Sequence, residues 1–291
     1  MGAKPSSAHP YVYEDNLTPV ARKKLALLLI DPQNDFVAKT GSLSVPGAED
    51  DAARLCAQLA RNIDAVDDIF VTLDTHAKFH IAHADFWVNK EGQKPAPFTE
   101  ITVQDVETGK WQTSKKEFAA HALAYVRELA VDNKFTLMVW PDHCLIGGTG
   151  HAVYGPLFDD LLKWEAHHKR PVRYVLKGHN SKTEMYSAFR AEIPEAKDPM
   201  TRLNVAFIKD LMQFDRIIVS GQASSHCVNY SVRDLIEKWP PNRLGDIWIA
   251  KDTMSSVQGA DAVAERFFVD MAKAGCTIST VAEAFAGAKS V

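Results

Sequence analysis

Arg216-Ile-Ile-Val-Ser-Gly-Gln-Ala-Ser-Ser-His-Cys227 is a short apolar run that passes through a glycine into a polar turn and ends on a cysteine. Two other runs share this design: Leu25-Ala-Leu-Leu-Leu-Ile30 stops at Asp31, and Arg173-Tyr-Val-Leu176 stops at Lys177. Short runs rich in Leu, Ile and Val read as parallel strands buried on both faces. Six candidates emerge, at 25–31, 68–74, 135–140, 172–177, 216–221 and 246–252, each bounded by polar or turn residues. Helical spacing of apolar residues falls between most of them, at 49–63, 115–130, 154–167, 203–213, 228–239 and 261–274. This alternation predicts an α/β fold with a doubly wound, mainly parallel sheet and helices on both faces. In such sheets ligands bind at the carboxyl ends of the strands, where an acid, an amine and a thiol would converge.

The 291 residues are 46% hydrophobic and 24% charged, enough to bury a large core. A formal charge of −4, with no dense Lys/Arg tract, gives no electrostatic footprint for nucleic acid, so a small molecule is the expected partner. The four cysteines are widely spaced and lack a CxxC pair, which argues against a zinc ribbon or a disulfide scaffold and for a reducing compartment. Residues 1–22 read as an N-terminal arm without the apolar segment of a signal peptide, and no stretch has the length of a membrane span. The expectation is a cytoplasmic protein with one domain over 23–291. An irregular insertion at about 84–133 interrupts it, and its first part, 83–113, is expected to lie over or beside the crevice.

A thiol needs a base to become a good nucleophile, and a nearby cation favours its thiolate, so Asp31, Lys177 and Cys227 together suit attack on a carbonyl carbon. Free N–H groups in the turn before Cys227 could hold an oxyanion. Asp74-Thr-His76 sets a carboxylate and an imidazole two residues apart on an extended segment, and His80 and His83 follow. Trp140-Pro-Asp-His143-Cys144 supplies another imidazole after a different apolar run. An Asp with two or three His suits zinc, iron or manganese with positions left for water or substrate. Each residue also has a plainer reading: Asp31 as a turn cap, Cys227 as a small buried hydrophobe, the histidines as surface residues. Asp35 reads as a turn residue and Cys144 as packing.

In combination and order, these motifs resemble the nicotinamidase branch of the isochorismatase-like cysteine hydrolases. Asp31-Pro-Gln-Asn-Asp35-Phe36 is similar to the family's opening DxQNDF, Asp74-Thr-His76 to its DxH, and Trp140-Pro-Asp-His143-Cys144 to its WPxHC. Lys177-Gly178, Tyr186-Ser-Ala-Phe189 and Gly221-Gln-Ala-Ser-Ser-His-Cys227 complete the series. The resemblance implies a catalytic triad of Asp31, Lys177 and Cys227, and one divalent metal, zinc before iron or manganese, on Asp74, His76 and His143. His80 is the expected fourth ligand and His83 the alternative. It further implies a cis peptide at Ala223–Ser224, an oxyanion held by the N–H groups of Ser224 and Cys227, and an aromatic ring sandwiched by Phe36 and Trp140. The implied reaction is hydrolysis of nicotinamide to nicotinate and ammonia through a thioester, in a homo-oligomer. Phe79 and Thr75 depart from the family pattern, as does the length between His83 and Trp140. A related amidase for another small amide and a ligand-binding pseudoenzyme are the competing readings.

Overall fold

A computed structural model describes residues 23–131 and 135–286. The expected N-terminal arm, 1–22, lies outside the described residues. In chain order the strands are β1 (Leu25–Ile30), β2 (Asp68–Asp74), β3 (Trp87–Val88), β4 (Thr99–Ile101), β5 (Gln112–Thr113), β6 (Leu137–Val139), β7 (Arg173–Lys177), β8 (Arg216–Gly221), β9 (Ile247–Ala250) and β10 (Thr277–Ser279). The helices are α1 (Asn34–Val37), α2 (Ala48–Arg61), α3 (Val103–Glu107), α4 (Ala119–Ala130), α5 (Gly155–His168), α6 (Val205–Leu211), α7 (Cys227–Lys238), α8 (Asp261–Ala274) and α9 (Val281–Phe285).

Six strands form one parallel sheet in the order β10-β9-β8-β1-β2-β7. Every residue of β1 and β2 is buried, as strands covered on both faces should be. Alternate residues of β1 divide between two cores. Leu25, Leu27 and Leu29 pack with Leu55 and Leu59 of α2, Leu161 and Trp164 of α5, and Phe285 of α9. Ala26, Leu28 and Ile30 face the other way, in a core that includes Tyr125 of α4, Phe207 of α6, Val232 of α7 and Phe267 of α8. The fold is therefore the doubly wound sheet predicted from the alternation of strand and helix patterns.

One of the six strand candidates does not join this sheet. Residues 137–139 pair antiparallel with Thr99–Ile101, and the place in the sheet is taken by β10, parallel to β9. The insertion is built from the small sheets β3-β5 and β4-β6 with α3 and α4. Its residues Phe86, Trp87, Ile101, Val126 and Leu129 belong to the same core as Leu28 and Ile30. It covers one face of the domain, and no helix among the described residues is long and apolar enough to cross a membrane.

Candidate functional site

Register assembles the site. Ile30 of β1 lies opposite Gly221 of β8, and Asp74 of β2 lies opposite Lys177 of β7. The residues that leave those strand ends, Asp31, Thr75-His76, Gly178 and the turn leading to Cys227, are thereby collected at one edge of the sheet. Glycine is required twice here. At Gly221 (φ +129°) an added Cβ would lie 2.0 Å from the Ile30 carbonyl oxygen, and at Gly178 (φ +75°) it would lie 2.6 Å from Asp74 Oδ1.

Lys177 is 1% exposed, and its ammonium is enclosed by acceptors. Nζ lies 2.9 Å from Asp31 Oδ2 and 3.0 Å from Asp74 Oδ1, donates to the Met185 carbonyl at 2.9 Å, and stands 3.7 Å from Cys227 Sγ. Burial alone would pull the ammonium down, but the two carboxylates outweigh it and hold Lys177 well above the ordinary lysine value. Burial pushes Asp31 up, partly offset by Lys177. Thr72 braces Asp31 from both sides: its hydroxyl donates to Oδ1 at 2.5 Å and accepts the Asp31 N–H at 3.0 Å. Burial also raises the Cys227 thiol well above its usual range, with Lys177 opposing and Asp31 and Asp74 adding to the rise.

On the other side of Asp74 lie the imidazoles. His76 Nε2 is 3.1 Å and His143 Nε2 3.4 Å from Asp74 Oδ2. The Nδ1 atoms of these rings face the carbonyls of Gly178 (3.1 Å) and Pro141 (2.8 Å). A carbonyl only accepts, so each Nδ1 carries a proton, and Nε2, turned toward the Asp74 carboxylate, is the nitrogen that a cation could take in exchange for a proton. His83 completes the group: donor atoms of His76, His83 and His143 lie within 4.8 Å of one another. Neither ring nitrogen of His83 has a hydrogen-bond partner although both are buried, and the nearest acid, Asp142, is 3.9 Å from Nδ1. Burial, then His143 and His76, depress His83 to about 2, which keeps it a neutral donor.

His83, the alternative, and not His80, the expected fourth ligand, is the imidazole that the structure groups with His76 and His143. His80 accepts the Ala82 N–H at Nδ1 (3.2 Å) and donates from Nε2 to the Thr183 carbonyl (3.2 Å), so neither nitrogen is left for a metal. The expected cis peptide is also displaced: it lies at Gln222–Ala223, not Ala223–Ser224. The Ser224 N–H is spent on the Ser255 carbonyl at 2.8 Å and cannot serve an oxyanion. Among the described residues of this turn, the amides of Ala223, Ser225 and Cys227 donate no hydrogen bond.

A cavity lined by Phe36, Trp140, His143, Tyr186, Ala223 and Cys227 brings together residues expected to meet a substrate. Trp140 Nε1 donates to the Tyr186 hydroxyl at 3.0 Å, which fixes both rings. No residue of 84–113 lines this cavity. That segment lies beside it, where the Phe98 ring meets Trp140 edge-on at 5.9 Å. Three contributors were not singled out from the sequence. Gln33 donates to the Asp74 carbonyl and accepts its N–H, both at 2.7 Å. His226, depressed to about 4 by burial, lines the cavity as a neutral ring. Glu184 is 2% exposed, lines the same cavity, and has one oxygen without a hydrogen-bond partner. The Glu184 anomaly, a buried acid two residues before the Tyr186-Ser-Ala-Phe189 segment, is visible only in three dimensions.

Among known proteins, the chain is 25% identical over 259 residues to the nicotinamidase of Escherichia coli, covering 89% of this chain and 95% of that one. It is 24% identical over 203 residues to the nicotinamidase of Saccharomyces cerevisiae, covering 69% and 76%. The structure of the yeast enzyme bound to the inhibitor nicotinaldehyde superposes with a TM-score of 0.61 at 18% identity, over 88% of this chain and 99% of that one. A pyrazinamidase of Pyrococcus horikoshii in complex with zinc gives 0.53 at 18% identity, with the same coverage. No family model matches the chain. The fold and this edge of the sheet define an isochorismatase-like α/β protein. In sequence the chain is similar to nicotinamidases over most of its length.

Proposed function

We propose that this protein is a metal-containing amidohydrolase that converts nicotinamide to nicotinate and ammonia through a thioester on Cys227. The observation that carries the reading is the enclosure of Lys177 by Asp31, Asp74 and Cys227, which sets a base and a cation against a buried thiol. Asp31 takes the thiol proton, and the adjacent ammonium stabilises the resulting thiolate. The sulfur attacks the carboxamide carbon, and the oxyanion that forms is met by the amides of Ala223 and Cys227. As the C–N bond breaks, Asp31 returns its proton to the departing ammonia. Water, deprotonated by Asp31, then attacks the thioester; nicotinate leaves and the thiol is restored.

The donor set fits a divalent cation. Two imidazoles are oriented by carbonyls at Nδ1 so that Nε2 points to Asp74, and His83 has both nitrogens unsatisfied in a buried place, which an unpaired polar group does not tolerate cheaply. Asp74, His76, His83 and His143 would hold zinc, iron or manganese, and the bound cation would supply an anchor for a pyridine nitrogen. Phe36 and Trp140 would orient the ring from either side.

Ammonia release should be followed with nicotinamide, pyrazinamide, benzamide and small acyclic amides, on protein loaded with each metal in turn. The reading expects the two heteroaromatic amides to be preferred over benzamide, which lacks the ring nitrogen. Equal rates for benzamide and nicotinamide would remove the anchoring role, and binding without ammonia from any amide would favour a pseudoenzyme.

A further inference from the structure

Asp51 stands in the first turn of α2, where the helix dipole favours an acid whichever way it faces. Its neighbour Asp50 is exposed, but Asp51 is 3% exposed and points inward. Its Oδ1 accepts from Arg54 Nη2 at 2.6 Å. Its Oδ2 accepts twice, from Gln222 Nε2 at 3.0 Å and from the Ser255 hydroxyl at 2.7 Å. Gln222 Oε1 in turn accepts the Ser255 N–H at 3.2 Å, and the Ser255 carbonyl takes the Ser224 N–H at 2.8 Å. Arg54 Nε reaches the Asp252 carbonyl at 2.6 Å.

These bonds join α2, the turn after β8 and the loop after β9. The residues on both sides of Ala223 are anchored, Gln222 to Asp51 and Ser255, and Ser224 to Ser255, while the Ala223 amide stays unspent. A cleft of about 620 Å³ opens beside Ser224, Met254 and Ser255, while Ala223 packs among Phe36, Val45 and Ala52. The hydrogen bonds act beside that packing, on the two residues that flank Ala223.

We propose that Asp51 is a positioning residue: through Gln222 and Ser255 it fixes the Ala223 amide where the carboxamide oxygen becomes an oxyanion. This rests on the thioester reading above. A donor held in place before reaction needs no reorganisation as charge develops, whereas a loose turn must be ordered at that moment. Ring binding between Phe36 and Trp140 makes no such demand, so loss of the clamp falls on kcat and spares KM.

The test compares Asp51→Asn and Gln222→Met with the native protein; Gln222→Met removes the side-chain bonds without leaving a cavity, should Asp51→Asn fold poorly. Both are expected to lower kcat on nicotinamide by roughly 10- to 100-fold, with KM held within about twofold. Pyridine-3-carboxaldehyde is the discriminating probe. The Cys227 sulfur adds to its carbonyl carbon, the π pair moves to oxygen and the thiol proton to Asp31, and nothing leaves, so this adduct needs the same donors. Its inhibition should weaken by the same factor as kcat, while inhibition by nicotinate stays within about twofold. Unchanged kcat in folded variants, or parallel weakening of aldehyde and nicotinate, overturns the clamp and leaves the amidase reading intact. A native protein that neither hydrolyses nicotinamide nor binds the aldehyde covalently overturns the reading, and the proposal with it.

Discussion

The two halves of the site are built on opposite terms. Around Lys177 one ammonium meets two carboxylates within 3.0 Å, so this half is held by ion pairs among its own side chains. Around His83 the same density of burial leaves two ring nitrogens with nothing to bond. Asp74 is the hinge between them, giving Oδ1 to Lys177 and Oδ2 to His76 and His143. A half that satisfies itself does chemistry with its own atoms; a half that does not is completed by something it binds. Substitutions in the two halves should therefore fail differently.

The largest effect belongs to Cys227→Ala. The replacement is small and apolar and leaves the Lys177 ion pairs in place, so the melting temperature should stay close to native while turnover falls by about 10⁴-fold or more. Residual activity near the native level would break the covalent mechanism. Lys177→Met should combine both kinds of loss. It strands two buried carboxylates, and removing one partner of a buried charge group costs about 3–5 kcal/mol, so turnover and stability in urea should drop together. A stable but inactive Lys177→Met would show that the fold does not depend on the ion pairs of the lysine half.

The histidine half should respond in metal content. His83→Ala is expected to weaken metal binding by roughly 100-fold and to raise KM for a pyridine carboxamide, whereas His80→Gln should hold metal within about threefold of native. Equilibrium dialysis against zinc separates the two, and the reverse ranking would restore His80 as the ligand. Phe98→Ala should be the mildest. It removes an exposed ring that touches Trp140 only edge-on, so KM should shift by about twofold and metal content not at all. A tenfold change in substrate preference would show that the insertion governs selectivity after all.

Much of this was legible in the chain. Asp31, Lys177 and Cys227 each end an apolar run, and the carboxyl ends of parallel strands lie together by construction. What escaped was decided by long-range contacts. His80 and His83 are both within reach of Asp74-Thr-His76 in sequence, and the choice between them is made by a Thr183 carbonyl 103 positions away from His80. The run 135–140 has the composition of a buried strand, but its partner is Thr99–Ile101, and no periodicity records which sheet a strand joins. β10 is three residues long, too short to leave a pattern. The expected oxyanion donor Ser224 gives way to Ala223 in the proposal because Ser255, far along the chain, claims the Ser224 N–H.

Cys227 acting as nucleophile toward a heteroaromatic amide is the central proposal. The most direct measurement is the release of ammonia and nicotinate from nicotinamide by metal-loaded protein, run beside the Cys227→Ala variant at matched metal content. The account predicts equimolar ammonia and nicotinate from the native protein and neither from the variant. No release from the native protein, or undiminished release from Cys227→Ala, would contradict it.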